Sequence, residues 1–477
     1  MTDKSESSGG TVDEAAVREL RGQLAGDVIV PDDDGYDAAR AVWNGYIDRR
    51  PRVVVRCRGV ADVLAAVRFA RAQNLLTAVR GGGHNVAGFG TCDGGIVIDL
   101  APMKGVRVDP EARTARAQPG LTWGEFDRET QAFGLATTGG LVTTTGIAGF
   151  TLGGGIGWLM RKHGLTIDNL ISADVVTADG RLVTASAASH PDLLWALRGG
   201  GGNFGIVTSF EYRLHPVGPI VVGGAVFHPA ERAREVLRFY NRWVATLPDE
   251  MTSMAAFITA PPLPFIPQPL HGTPMLAIAV CYAGPVEDGQ RVAQPLVSFG
   301  PPAVAHVGPV PYTILQGMFD ASAPRGIHSY WKTHYVADLS DAAIDALTAE
   351  TAKMRPLSPF TTLHIHHLEG AVSRVNPDAT AFRHRAPRYA MNVVGLWTAA
   401  EPAEPHIAWV RRTFDAVQPF ATGAPYLNFL GDEGADRVRA AYGPETYDRL
   451  AKIKERYDPT NFFRVNQNIR PAAPARA

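Results

Sequence analysis

Three glycine-rich blocks in the first half of the chain, at 81–95, 139–157 and 199–205, limit its possible folds more than any other feature. Glycine has no Cβ, so a glycine-rich backbone can approach a ligand closely and direct consecutive N–H groups at a phosphate. One such block is most simply an ordinary turn. Three blocks together favour a set of loops around one extended ligand, such as a dinucleotide.

The first block, in "AVRGGGHNVAGFG" (78–90), follows a predicted strand at 75–80 and leads into another, "GIVIDL", at 95–100. A Rossmann loop instead opens a helix and has an acidic residue about twenty positions later. No GKS or GKT sequence follows any block, which disfavours a P-loop. We therefore expect a loop between two strands. A nicotinamide-dependent dehydrogenase on a Rossmann domain is the weaker alternative, and it predicts a helix directly after Gly90.

The chain of 477 residues predicts two or three folding units. β-Branched runs and helical spacing predict a β-α-β unit with an added strand over 52–100, followed by short strands in "GVRVD" and "TARAQPG". The segment "TWGEFDRETQAFG" is typical of an amphipathic helix with Thr122 as its N-cap. The region 139–157 has no helical period and predicts buried loops and turns, whereas Asp179 and Gly180 indicate a hairpin turn.

The composition changes after Pro216, where proline becomes frequent. Alternating segments such as "PMLAIAVCYAG", "TLHIHHLEG" and "YAMNVVGLW" predict strands of an antiparallel sheet, and helical segments lie between them. We therefore expect a second domain of the α+β class over 216–422.

Charge and cysteine content exclude several classes of protein. The 46 Lys and Arg residues balance 47 Asp and Glu residues without a long run of like charge, so neither nucleic acid nor a membrane is expected as a partner. Cys57, Cys92 and Cys281 are odd in number and lack CxxC spacing, which argues against disulfides and zinc and fits a cytoplasmic location. The polar start lacks an apolar signal core, and no window approaches ~18–20 uninterrupted apolar residues. Residues 1–10 are expected to be disordered.

Six motifs occur in order along nearly the whole chain: "RGGGH", "GLTWGE", "GGGIGWLMRKHGLTIDNL", "WALRGGGGNFGIVT", "YLNFLGDEG" and "YDPTNFFRVNQNI". Together they resemble the motifs of berberine-bridge-enzyme-like FAD-linked oxidases, a branch of the vanillyl-alcohol-oxidase (PCMH-type) superfamily, and bacterial 6-hydroxynicotine-type oxidases are similar. The resemblance implies an α+β fold with an FAD-binding domain of two α+β subdomains, formed by 1–215 and completed by 423–477. It implies that 216–422 is an inserted substrate domain, whose antiparallel sheet is backed by helices and covers the flavin.

The resemblance also implies how FAD is held. His84 matches the histidine that the family bonds to the flavin 8α-methyl carbon, and neutral imidazole is a nucleophile near pH 7. Many relatives add a cysteinyl link at the position of Val142, but valine cannot form one, so a single covalent link is expected. Thr145 stands where the family controls oxygen access, and its small polar side chain favours oxidase activity. The other expected cofactor contacts are Arg80, Gly81, Gly82, Gly83, Asn85, Thr143, Gly146, Gly149, Gly153, Gly155, Ile206, Asn466 and Asn468.

Tyr426 and Asn428 are the candidate catalytic residues. The pattern "PYLNFLG" predicts a strand, so the two side chains would share one face. The resemblance implies that Tyr426 is the general base, which requires a pKa lowered from ~10 or proton loss coupled to hydride departure. Aromatic packing is the alternative role. Asn466 and Asn468 would likewise share a strand face and suit the flavin pyrimidine edge or N5 region, with strand-end packing as their alternative.

Two further motifs are assigned to the wall of the substrate site. In "HIHH" (364–367), two histidines on one strand face are too few to bind a metal, so no metal is expected. Tyr330, Trp331 and Lys332 are additional wall candidates, with core packing as their alternative.

These features predict an FAD-dependent oxidase. A small alcohol, sugar, amine or natural product would pass a hydride to flavin N5, and oxygen would then accept the electrons and form hydrogen peroxide. The alternatives are a flavin-carrying binding protein without turnover, an FAD dehydrogenase and a flavin-oxygenating enzyme of the same fold. No motif in the sequence selects one substrate.

Overall fold

The computed structural model describes residues 13–354 and 357–472, so the expected disorder of residues 1–10 lies outside the described residues. Its α-helices are α1 (Glu14–Gln23), α2 (Tyr36–Arg40), α3 (Val60–Ala72), α4 (Trp123–Gln131), α5 (Ile147–Leu152), α6 (Met160–His163), α7 (Pro191–Leu197), α8 (Ala233–Val244), α9 (Val286–Ser298), α10 (Tyr312–Gln316), α11 (Asp341–Thr351), α12 (Ala371–Arg374), α13 (Ala403–Val417), α14 (Ala435–Tyr442) and α15 (Pro444–Tyr457). Its strands are β1 (Asp27–Ile29), β2 (Val53–Arg56), β3 (Thr77–Arg80), β4 (Ile96–Asp99), β5 (Val106–Asp109), β6 (Thr114–Ala117), β7 (Leu135–Ala136), β8 (Leu170–Val176), β9 (Leu182–Ala185), β10 (Ile206–Arg213), β11 (His215–Pro216), β12 (Ile220–Pro229), β13 (Met251–Thr259), β14 (Pro274–Tyr282), β15 (Val304–Pro311), β16 (His328–Val336), β17 (Thr362–His367) and β18 (Tyr389–Trp397).

The first sheet has the strand order β1-β2-β4-β3, with β2, β4 and β3 parallel and β1 antiparallel to β2. The apolar run of β2 is fully buried because Val63 and Val67 of α3 pack in the same core as Val53 and Val55. The predicted β-α-β unit with its added strand is therefore confirmed. The first secondary-structure element after Gly90 is strand β4, so the Rossmann alternative is wrong.

The second sheet has the order β5-β6-β10-β8-β9, and all its neighbouring strands are antiparallel. Strands β8 and β9 form the predicted hairpin, and Gly180 in its turn has a φ of +76°, which favours glycine. Helix α4 begins at the predicted cap, because Thr122 and Glu125 exchange the two hydrogen bonds of a capping box. Leu450 of α15 packs in the core of this sheet, so the C-terminal helices return to it.

The third sheet has seven antiparallel strands in the order β15-β12-β14-β13-β17-β18-β16. Helices α8, α9, α11 and α13 cover one of its faces, where Leu363 and Ile365 of β17 meet Leu237 and Trp409. Alternate residues of a strand point to opposite faces. Thr362, His364 and His366 therefore lie on the face that the helices leave open, whereas His367 lies on the other face and contacts Arg161 and Glu369.

The fold is of the α+β class, as expected, with an antiparallel sheet backed by helices. Three local predictions are wrong. Residues 147–152 form helix α5 within the region predicted as loops and turns; its N-cap Gly146 is extended and provides no side-chain cap, so the sequence carries no capping signal at this start. Residues 427–429 form a 3₁₀ turn instead of a strand, and 465–468 form no strand. The division of the chain at 215 and 422 stays a prediction.

Candidate active site

A cavity of about 370 Å³ lies between the glycine-rich loops and the open face of the third sheet. Cavities of about 300–1,000 Å³ typically bind small molecules and cofactors. The loop side includes Gly81, Gly82, Gly83, His84, Asn85, Val142, Thr145, Gly146, Gly149, Gly153, Gly201, Gly202 and Ile206. The sheet side includes Met254, Trp331, Thr362, His364, His366, Asn392, Val394 and Leu396. All three predicted glycine blocks thus line one cavity.

The first two glycine blocks meet backbone to backbone at Gly82 and Gly146. A Cβ added to Gly82 would lie 2.5 Å from the Gly146 nitrogen, and one added to Gly146 would lie 2.4 Å from the Gly82 nitrogen. Both distances are too short for any side chain, so only glycine permits this approach. The contact joins two loops that are distant in sequence into one wall of the cavity.

A buried ion pair fastens the C-terminal segment to the third block. The Lys454 ammonium donates to the Asp458 carboxylate at 2.5 Å and to the carbonyl oxygens of Asn203 and Phe463 at 2.7 and 2.8 Å. Both side chains of the pair are fully buried. The segment that follows carries Asn466 and Gln467 to the cavity, where the Asn466 Oδ1 atom has no partner among the described residues.

His84 lies in the loop wall as a neutral imidazole. The Trp43 ring stacks on it with 5.2 Å between centroids and an interplanar angle of 19°. Its Nε2 and Nδ1 atoms lie 3.1 and 3.5 Å from the hydroxyls of Thr144 and Thr145. Burial, assisted by the charge of Arg325, lowers the pKa of His84 to about 4. The ring is therefore uncharged and nucleophilic at neutral pH.

Arg80 lines the cavity, but its guanidinium is already bound within the protein. It donates to both carboxylate oxygens of Asp99, at 3.2 and 2.9 Å, and to the Ala39 carbonyl oxygen at 2.6 Å. This bidentate pair neutralises its charge. Arg80 thus orders the start of the first glycine block.

Tyr426 and Asn428 meet at the cavity even though their segment is a turn. The Asn428 amide donates to the Tyr426 hydroxyl oxygen at 3.0 Å, and the backbone N–H groups of Gly155 and Ile156 donate to the same oxygen at 2.9 and 3.3 Å. Burial outweighs these hydrogen bonds and raises the pKa of Tyr426 to about 12. The phenol is therefore protonated at neutral pH.

The sheet side presents polar side chains with unused hydrogen-bonding atoms. Among the described residues, the Thr362 hydroxyl, His366 Nε2, Asn392 Oδ1 and Trp331 Nε1 are buried without a partner. His364 and Asn392 lie directly opposite each other on β17 and β18. This stretch of the sheet is thus equipped to bind a ligand that supplies hydrogen bonds.

Several predicted residues lie elsewhere. Thr143 does not line the cavity, because its backbone N–H and hydroxyl both donate to Asp320. Gly155 contacts Tyr426 from outside the lining, and Asn468 lies outside it as well. Of the three wall candidates at 330–332, only Trp331 faces the cavity; Tyr330 accepts from Arg411, and Lys332 pairs with Glu433.

The residues of the site that sequence reasoning missed include Trp43, Asn203, Asn392 and Gln467. Asn203 could have been found, since it stands inside the third glycine block of the sequence. In the structure its Oδ1 atom accepts a hydrogen bond from the Ile469 N–H at 2.9 Å. Asn392 is the single polar residue in the middle of "YAMNVVGLW", which is a recognisable signal on a buried strand. Trp43 and Gln467 carry no comparable signal.

Comparisons with known proteins agree with this geometry. Residues 51–186 match the model of the FAD binding domain, and residues 425–470 match the model described as berberine and berberine like. An FAD-linked oxidoreductase of Dictyostelium discoideum is 32% identical over 90% of this chain and 91% of its own. The chain belongs to the berberine-bridge-enzyme-like family of FAD-linked oxidoreductases. The (R)-6-hydroxynicotine oxidase of Paenarthrobacter nicotinovorans is also 32% identical, over 94% of this chain and 97% of its own.

The fold comparison supports the same family. The crystal structure of 6-hydroxy-D-nicotine oxidase from Arthrobacter nicotinovorans superposes with a TM-score of 0.85 at 29% identity, covering 94% of this chain and 98% of that one. This berberine-bridge-enzyme-like protein is therefore an FAD-linked oxidoreductase, and the alternative of a binding protein without turnover is not supported.

The residues of the cavity fit FAD. Three glycine blocks supply a backbone cradle that a Cβ would fill at Gly82 and Gly146, and Asn466 offers an unpartnered amide oxygen. Apolar side chains from β10 and the C-terminal segment, among them Ile206 and Phe463, complete the lining. Within 13–354 and 357–472, no cluster of three or more His, Cys, Asp or Glu side chains is arranged to hold a metal, and no helix has the length and apolar character needed to cross a bilayer.

Proposed function

We propose that this protein is an oxidase whose FAD is attached through His84 alone, and that it oxidises a small organic molecule with oxygen as electron acceptor and hydrogen peroxide as product. When bound, FAD supplies the hydride acceptor that oxygen later reoxidises. The observation that carries the proposal is a neutral, nucleophilic imidazole in a cavity lined by glycine loops. The oxidase names of the relatives support the choice of oxygen.

A single covalent link is proposed because Val142 occupies the position where a second one would form. Cys57, Cys92 and Cys281 are buried, and none of them is among the described residues that line the cavity. The Trp43 ring holds the His84 imidazole from one side, and Thr145 leaves a small polar surface beside it for oxygen. The cytoplasmic location stays a prediction.

Tyr426 and Asn428 are proposed to contact the substrate as hydrogen-bonding groups. A general base must be deprotonated before it accepts a proton, and the raised pKa of Tyr426 keeps its phenol protonated. Asn428 also donates to the Phe150 carbonyl oxygen at 2.9 Å, so it fixes the backbone beneath the tyrosine. Asn466 is proposed to bind the flavin pyrimidine edge through its free amide oxygen.

The purified protein tests the proposal directly. After acid precipitation and denaturing electrophoresis, the wild-type band should fluoresce under ultraviolet light, whereas His84→Ala should release any flavin into the supernatant. Val142→Cys offers a matched gain-of-function variant that should introduce a second covalent link. Release of all flavin from the wild type, or the absence of any flavin spectrum, contradicts the covalent link. Peroxide formation is measured with a coupled peroxidase assay, and its absence during substrate turnover contradicts the oxidase.

A further inference from the structure

Strands β17 and β18 place a set of polar side chains at the centre of the sheet side of the cavity. His364 is paired in register with Asn392, and the next pair on the same face is Thr362 with Val394. Side chains at directly opposed positions of antiparallel strands have Cβ atoms about 4.5–5.5 Å apart. The imidazole of His364 and the carboxamide of Asn392 can therefore engage one functional group of a ligand together.

Several polar atoms of these side chains, and of Trp331 beside them, lack hydrogen-bond partners among the described residues. Asn392 Oδ1, Thr362 Oγ1 and Trp331 Nε1 are buried without a hydrogen bond among the described residues. An unpaired buried polar atom costs about 1–3 kcal/mol. A bound molecule that offers both donors and acceptors removes this cost, because the indole N–H donates, the amide oxygen accepts and the hydroxyl does either.

The cavity offers no counter-charge to an ionic ligand. Arg80 is the single Lys, Arg, Asp or Glu residue among the described residues that line it. The guanidinium of Arg80 is already neutralised by Asp99. An ammonium or carboxylate on the substrate would therefore be buried without a partner, which is strongly unfavourable.

The histidines of the sheet side differ from Tyr426 in their ability to accept a proton. Burial lowers the pKa of His364 to about 4, and burial together with His364 lowers that of His366 to about 3. Both imidazoles are therefore neutral at pH 7 and keep an unprotonated ring nitrogen, and the lowered pKa requires that proton uptake be coupled to hydride departure. His364 is half-buried and His366 is buried, so His364 is the more accessible of the two from the cavity.

Resting on the proposed oxidase function, we infer that the site binds an uncharged, hydroxyl-bearing ring compound, whose hydroxyl is oriented by Asn392 and deprotonated by His364. The carbinol carbon loses a hydride to the flavin and the hydroxyl loses its proton to His364, which turns the alcohol into a ketone. The electrons and the proton then reach oxygen, so alcohol and oxygen become ketone and hydrogen peroxide. Apolar Met254, Val394 and Leu396 pack against the ring.

Anaerobic bleaching of the bound flavin tests the substrate class. Three compounds with one phenyl ring isolate the charge: 1-phenylethanol, 1-phenylethylamine, which is an ammonium at pH 7, and mandelate, which is a carboxylate. Larger monocyclic and bicyclic alcohols, amines and carboxylates are tested beside these three compounds. The uncharged alcohols should bleach the flavin and the ionic compounds should not. If ionic compounds bleach it faster, the inference fails while the proposed function stands. If none bleaches a flavin that dithionite reduces and oxygen reoxidises, both fail.

His364 is tested with two variants and a rescue. We expect His364→Ala and His364→Gln to retain covalent flavin but to slow its reduction about 10²–10⁴-fold. Added imidazole should restore part of the rate in the alanine variant, which leaves space, and none in the glutamine variant. Exposed His306 lies on strand β15 of the same sheet and outside the cavity lining, so His306→Gln is the matched control. Unchanged reduction in His364→Ala, or a lost rate that imidazole never restores, overturns the role of His364.

Asn392→Leu separates binding from chemistry. It removes the hydrogen-bonding amide at nearly constant volume, so KM for the alcohol should rise at least tenfold. Equilibrium binding of acetophenone, the ketone product, should weaken by a similar factor as measured by its perturbation of the flavin spectrum. Unchanged ketone binding in this variant overturns the orienting role of Asn392.

Discussion

Glycine backbone forms much of the loop side of the cavity, whereas the sheet side consists of side chains from β13, β16, β17 and β18. At Gly82 and Gly146 the loop side leaves no room for a single added carbon. The third sheet forms its hydrophobic core on the face away from the cavity, where Leu363 and Ile365 are fully buried against helices. The comparison teaches that the loop side tolerates no side chain where its backbones meet at Gly82 and Gly146, while side chains on the sheet side can change without disturbing the core on the opposite face.

The largest expected effect concerns the ion pair that holds the C-terminal part of the loop side. Lys454→Met leaves the Asp458 carboxylate buried without its cation, which should cost about 3–5 kcal/mol in the free energy of unfolding. Urea denaturation measures this loss, and flavin retention should fall with it because Asn466 and Gln467 follow the pair. Exposed Lys452 on the same helix provides the control variant Lys452→Met. Equal stability of the two variants would show that the pair contributes nothing.

The next effect concerns a buried contact between helices α4 and α10, outside the cavity lining. Asp127 of α4 accepts a hydrogen bond from Gln316 of α10 at 2.8 Å, and burial raises the pKa of this carboxyl to about 7. The unfolded chain releases the same proton near pH 4, so the folded state loses stability as the pH rises from about 4 to about 7, by at most about 1.4 kcal/mol per pH unit. Asp127→Asn does not titrate.

The unfolding free energy of Asp127→Asn relative to the wild type should therefore increase between pH 5 and pH 7 and level off above it. Urea denaturation at a series of pH values measures the difference. The exposed carboxyl of Asp37 provides the control Asp37→Asn, for which the relative stability should not follow this trend. A constant difference between Asp127→Asn and the wild type would mean that Asp127 is ionised throughout.

The third effect tests the close approach of the loops. Gly82→Ala places a Cβ within 2.5 Å of the Gly146 backbone, so the two loops must separate. We expect a loss of about 1–3 kcal/mol in stability and of most of the bound flavin. Gly22 has open space around its Cβ position, so Gly22→Ala should keep its flavin and gain up to about 1 kcal/mol. Full flavin occupancy in Gly82→Ala would show that the contact is dispensable.

The two sides also differ in how well the sequence predicts them. The glycine blocks, His84 and the capping box at Thr122 depend on local backbone chemistry, which leaves a pattern in consecutive residues. The sheet side depends on which face of each strand the helices cover. That choice follows from packing between segments far apart in sequence, so Asn392 was missed while Trp331 was found only as one of three candidates.

The C-terminal motifs show the limit of reading strands from alternation. Tyr426 and Asn428 were expected on one strand face, yet a 3₁₀ turn brings them together through the Asn428–Tyr426 hydrogen bond. Asn466 reaches the cavity but Asn468 does not, because buried Lys454 and Asp458 set the path of the segment. Two residues separated by one position can therefore lie together in a turn as well as on one face of a strand, and the sequence pattern alone does not distinguish the two cases.

The smallest expected effect sharpens the contrast within one strand. Thr362→Val replaces an unpartnered hydroxyl on the cavity face with a methyl group of the same size, so the free energy of unfolding should not fall and should rise by up to about 1–3 kcal/mol. Leu363→Ala, one residue later on the helix-covered face, should cost about 2–5 kcal/mol. Flavin content should stay unchanged in Thr362→Val while KM for hydroxylated substrates rises. Flavin loss or a stability loss matching that of Leu363→Ala would show that the substrate side is as constrained as the loop side.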